Sequence, residues 1–60
     1  MRIEKNQYIF SHGKAPRGYG MWAFEVADRE YFYTGNFAEA KKEAFKEARN
    51  QGVSEIVILP

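Results

Sequence analysis

The 60-residue chain predicts an α+β fold: an antiparallel β-sheet packed on one α-helix, in the order β-β-β-α-β. Three features predict it. Trp22, Phe24 and Val26 alternate with Met21, Ala23 and Glu25 at the period of a strand. Between Asn36 and Gly52, apolar residues recur at helical spacing. After that helix, Ile56-Val57-Ile58-Leu59 is an apolar run of strand length. Residues 19–48 organise the rest, as a hairpin with a helix packed on one of its faces.

The elements follow in order. Residues 3–11 read as a first strand, on the β-favouring Tyr8-Ile9-Phe10. Residues 12–20, HGKAPRGYG, read as an irregular loop, because three glycines and Pro16 punctuate nine residues. A second strand covers 20–27, with Trp22, Phe24 and Val26 inward. Asp28-Arg29-Glu30 reads as a polar turn and 31–34 as a third strand; with Phe32 and Thr34 inward, Tyr31 and Tyr33 face away. Asn36 is a favourable N-cap, with Glu39 completing a capping-box pair. The helix is expected over 37–51, burying Phe37, Ala40, Ala44, Phe45 and Ala48, and Gly52 suits its end. Glu39–Lys42 and Glu43–Lys46 are i,i+3 pairs on its outer face. A fourth strand, 53–59, is reached through the helix, so it should run parallel to the third; a place beside the first strand satisfies this.

Size and composition narrow the functional classes. The chain forms one small domain and buries only about 60% of its unfolded surface. It has no cysteine and a single histidine, which leaves neither a disulfide nor a zinc ligand set. Side chains alone must build the core, and a chain that is 45% hydrophobic and 17% aromatic can do so. No cofactor is expected. The N-terminus is polar, and no apolar run approaches the roughly 20 residues of a membrane span, so no membrane partner is expected and the cytoplasm is the default location.

Catalytic patterns are weak. Ser11 and His12 are adjacent, so on a strand their side chains diverge. Asp28 and Glu30 belong to a hairpin tip rather than a cleft. The glycines of the 13–20 loop lack the Lys-Ser/Thr and the following helix of a phosphate-binding loop. A non-enzymatic role is expected.

Binding is the better prospect. Net charge is +1, yet residues 5–24 hold no acid while Lys5, His12, Lys14 and Arg17 fall among them, so one end is mildly basic. The sheet face opposite the helix is uncovered and is expected to present Met21, Glu25, Tyr31 and Tyr33, with His12, Lys14, Arg17 and Tyr19 at its rim. Uncovered apolar faces mark interfaces. The expected function is a small accessory or regulatory module that binds a protein, a second copy included; the alternative is DNA or RNA binding through the same face.

Gly20, Trp22, Ala23, Glu25 and Val26, then Gly35 and Phe37, then Ala40 and Ala44 carry a resemblance. In them the chain resembles the plant ethylene-response-factor (APETALA-type) DNA-binding domain, and it is similar in layout to sheet-type DNA-binding domains of some integrases. The resemblance implies three antiparallel strands on one helix, with the open face in the DNA major groove. It implies base-reading positions at Glu25 and Tyr33 and a DNA contact at Arg17. Ala27 and Tyr31 stand where that family carries basic residues.

Overall fold

The hairpin is set by its turn. A computed structural model describes residues 2–60 and joins the hairpin strands, β2 (Tyr19–Val26) and β3 (Arg29–Asn36), through only two residues, with Val26 facing Arg29. Ala27 and Asp28 both take positive φ, 51° and 66°. Two residues at positive φ twist a hairpin in the sense its strands require. The turn therefore starts one position earlier than the expected Asp28-Arg29-Glu30 and is one residue shorter, and β3 is longer than 31–34.

That shift inverts β3. Directly opposed residues share a face, and Trp22 faces Tyr33 while Phe24 faces Tyr31. Tyr31 and Tyr33 therefore lie on the helix side, half-buried against the core. Phe32 and Thr34 are the outward pair, opposite Ala23 and Met21. Because strands have a period of two, a two-residue turn in place of a three-residue one changes the register by an odd number of residues and exchanges the two faces completely.

The N-terminal strand is shorter than expected: β1 is Arg2–Glu4, and α1 (Asn6–His12) occupies most of the predicted strand 3–11. The Glu4 carboxylate accepts from the Asn6 backbone N–H at 2.7 Å and so supplies the cap that Lys5 does not. At the other end Gly13, at φ 73°, donates its N–H to the Ile9 carbonyl at 2.7 Å. Tyr8 and His12, four residues apart, stack with ring centroids 4.1 Å apart. Local capping thus overrides the β-preference of Tyr8-Ile9-Phe10, and His12 ends a helix instead of opening a loop.

The long helix, α2 (Phe37–Gln51), has the expected limits. Its first N–H, at Phe37, donates to the Gly18 carbonyl at 2.8 Å, while the Asn36 side chain makes no capping bond. At its end Gly52 and Val53 donate to the carbonyls of Arg49 and Ala48, the paired closure of a Schellman motif. Phe37, Ala40, Ala44 and Ala48 are buried; Phe45 is half-buried. Three alanines on this stripe let the axis lie close over the sheet. Neither outer-face i,i+3 pair closes to an ion pair among the described residues, where Glu47 accepts from Gln51 instead.

The last strand, β4 (Glu55–Ile58), is central in the order β1-β4-β2-β3. It pairs parallel with β1 and antiparallel with β2. The sheet is therefore mixed, not antiparallel, while the α+β class and the expected place of the last strand, beside the first and parallel to the third, hold. Ile56 and Ile58 are fully buried with Phe24 and Val26 beneath α2. Trp22 closes the core at one end: its ring meets Phe37 edge-on at 5.0 Å, and its indole N–H donates to the Gly35 carbonyl at 2.9 Å.

An alanine held at left-handed φ carries a steric cost of about 1–2 kcal/mol. Ala27→Asn should therefore raise unfolding stability by roughly 1 kcal/mol, since asparagine tolerates that conformation. A chemical-denaturation midpoint that stays level or falls would contradict this account of the turn.

Candidate functional site

Strand alternation and register define the face that α2 leaves uncovered. It carries Arg2 and Glu4 from β1, Glu55, Val57 and Leu59 from β4 and its extension, Met21, Ala23 and Glu25 from β2, and Glu30, Phe32 and Thr34 from β3. Met21 is 73% exposed and Phe32 62%. The face is polarised along its strands. At the hairpin-turn end, Glu4, Val57, Glu25 and Glu30 stand abreast on successive strands, with Glu55 one step beyond. Among these acids, Glu55 meets Arg2 at 3.7 Å in an ion pair open to solvent, which contributes little. Midway lies the apolar patch of Leu59, Ala23, Phe32 and Met21.

The opposite end is basic. The Leu59 N–H donates to the Ala23 carbonyl at 2.9 Å, and among the described residues β2 has no strand beside it on that edge before Ala23. A cavity of about 500 Å³ opens there between β2 and α1. His12, Lys14 and Arg17 line it, together with Tyr19, Met21 and Phe32, and no acid does so among the described residues. Tyr8 and Trp22, 5.7 Å apart at their centroids, line it as well. The glycine-proline segment between α1 and β2 places the two strong cations. Pro16 is buried within it, and the Gly18–Phe37 bond fixes its far end to α2.

Five of the eight expected binding residues thus meet: His12, Lys14, Arg17, Tyr19 and Met21. Glu25 lies on the same face, at its acidic end. Tyr31 and Tyr33 do not belong to the site, because the register turns them toward α2. Phe32 and Leu59 take their place at its centre. A two-residue turn followed by strict alternation is the signal that locates Phe32. A second apolar exposure lies on α1, where Phe10 is 91% exposed and lines a groove with Pro60.

Tyr33 sits in a different hollow, beside Glu43, Lys46 and Glu47 of α2. Burial holds its phenol pKa above the ordinary 10.0, and the Glu47 and Glu43 carboxylates push it further in the same direction. The native state therefore retains this proton after the unfolded chain has released it. This contribution to stability is whole below pH 10, and it is lost as pH rises through the native Tyr33 pKa. Tyr33→Phe should flatten the alkaline fall in stability; an unchanged slope in pH-dependent unfolding would contradict the assignment.

Glu25 and Glu30 face each other directly across β2 and β3. Like charges at such positions are destabilising, and opposite charges contribute about 0.2–1 kcal/mol. Glu30→Lys should accordingly stabilise the folded monomer by a few tenths of a kcal/mol or more, read from its thermal midpoint at low salt. A lower midpoint would show that the two carboxylates do not oppose each other in solution.

Among the described residues no helix is long and apolar enough to cross a membrane. No protein-family model matches this chain, and no curated protein or solved structure matches it at a significant level.

Proposed function

We propose that the chain is a small non-enzymatic module that binds a protein through the uncovered sheet face and the adjoining basic cleft. One observation carries the reading: Met21 on β2 and Phe32 on the edge strand β3, large and apolar, stand exposed on a sheet face that no element among the described residues covers. Isolated apolar side chains at a surface are ordinary, but a contiguous patch with charged margins is the pattern of an interface core and rim. Cytoplasmic action in an accessory or regulatory role is part of the same reading.

Nucleic-acid binding is the second reading, favoured by the cleft cations Lys14 and Arg17 and by Tyr19, which is 80% exposed and free to stack on a base. The composition of the sheet face favours protein. Phosphate neutralisation dominates nucleic-acid affinity, whereas this face sets four glutamates against one arginine.

A photo-crosslinking side chain at Phe32, compared with one at Lys42 on the outer side of α2, tests the reading. Protein crosslinks, to other copies or to other chains, are expected at position 32 and not at 42. Amide signals of the open face should stay fixed when mixed-sequence duplex DNA is added at low salt. Equal crosslinking at both positions, or shifts that DNA induces and salt reverses, would overturn it.

A further inference from the structure

The open face carries opposite charge at its two ends with an apolar patch between them. We propose that its partner is a second copy of this chain, packed face to face about a twofold axis that crosses the strands between Met21 and Ala23. This rests on the protein-binding reading above and names the occupant.

The geometry is self-complementary. Such an axis exchanges the ends of the sheet while keeping β2 over β2 and β3 over β3. The loop bearing Lys14 and Arg17 in one copy then comes over the acidic end of the other, next to Glu25 and one strand away from Glu30, and the same contact recurs by symmetry. At the centre Met21 is set over the partner copy's small residue at position 23, and Phe32 over the threonine at position 34. Large against small is how facing sheet layers interdigitate across about 10 Å. The arrangement also explains a feature that the monomer alone leaves costly. Glu25 and Glu30 oppose each other on an uncovered face, and cations from a second copy relieve their repulsion.

Size sets the expected strength. Four strands about 4.8 Å apart and seven residues of about 3.3 Å give a flat patch of roughly 400 Å² per copy. Standard interfaces bury about 800 Å² per partner. The association should therefore be weak, micromolar or looser, and sensitive to salt because its charged contacts lie at the rim.

A charge-exchange experiment tests the proposal. Sedimentation equilibrium is run on the unaltered chain, on the double variant Lys14→Glu with Arg17→Glu, on the double variant Glu25→Lys with Glu30→Lys, and on an equimolar mixture of the two variants. The unaltered chain should dimerise with added salt opposing it. Each variant alone should dimerise at least tenfold more weakly, since both of its symmetric contacts become like-charged. The mixture should recover a dimer, because both contacts between unlike variants are again opposite in charge. That recovery also shows that the variants are folded.

A chain that remains monomeric to roughly millimolar concentration overturns the second copy as occupant; crosslinks from position 32 to other proteins would then leave the binding face standing. A dimer indifferent to both charge variants and to Phe32→Ser overturns the face itself. A dimer that protects the Glu30, Phe32 and Thr34 amides from hydrogen exchange places the contact along the β3 edge, and overturns the face-to-face arrangement. Failure of the mixture to recover a dimer, with both variants folded by circular dichroism, overturns the charge pairing.

Discussion

The two-residue turn at Ala27–Asp28 is the constraint on which the rest depends. It pairs Val26 with Arg29 and thereby assigns every residue of β3 to a face. The two tyrosines go under α2 and Phe32 goes to the open side. Neither turn residue is a glycine or an asparagine, so packing of the strands, rather than the turn's own preference, must hold Ala27 at positive φ. Phe24, Val26, Ile56 and Ile58 supply that packing, since a register slip would carry Phe24 and Val26 out of the core.

Trp22 connects the layers. Its ring touches Phe37 at the start of α2 and Tyr8 on α1, and its indole N–H reaches Gly35 on β3. The end of β3, the first turn of α2 and the short helix α1 therefore share one anchor. The basic cleft opens beside it, so the cations stand on a braced part of the fold, with the Gly18–Phe37 bond as a second tie. Such pre-ordering limits the entropy that a partner must overcome on binding.

Much of this was legible in the residues. The inward face of β2, the limits of α2 and the place of β4 beside β1 all follow from periodicity, capping and the placement of a helical crossover, whereas the pairing of β4 with β2 does not. The short helix α1 did not, because its start is capped by the side chain of Glu4 and its interior residues favour strands. The face of β3 was illegible for a different reason. Tyr31, Phe32, Tyr33 and Thr34 offer bulky side chains to both sides, so composition could not orient them and only the turn could. The same ambiguity decides the site: the cleft residues 12–21 were found together, whereas Tyr31 and Tyr33 were exchanged for Phe32.

The pairing of β1 with β4 has a consequence for how the chain comes to be folded. β1 precedes the hairpin, yet its strand partner lies more than fifty residues later, at Glu55–Val57. During vectorial synthesis the hairpin and α2 can collapse on each other as soon as they emerge, because their contacts are local. β1 must wait, and so must the sheet's central position, which stays vacant until β4 inserts beside β2. Late closure of this kind raises contact order and slows folding. In that interval the edge of β2 lies open to any neighbouring chain, and dependence on chaperones would arise there rather than in the hairpin.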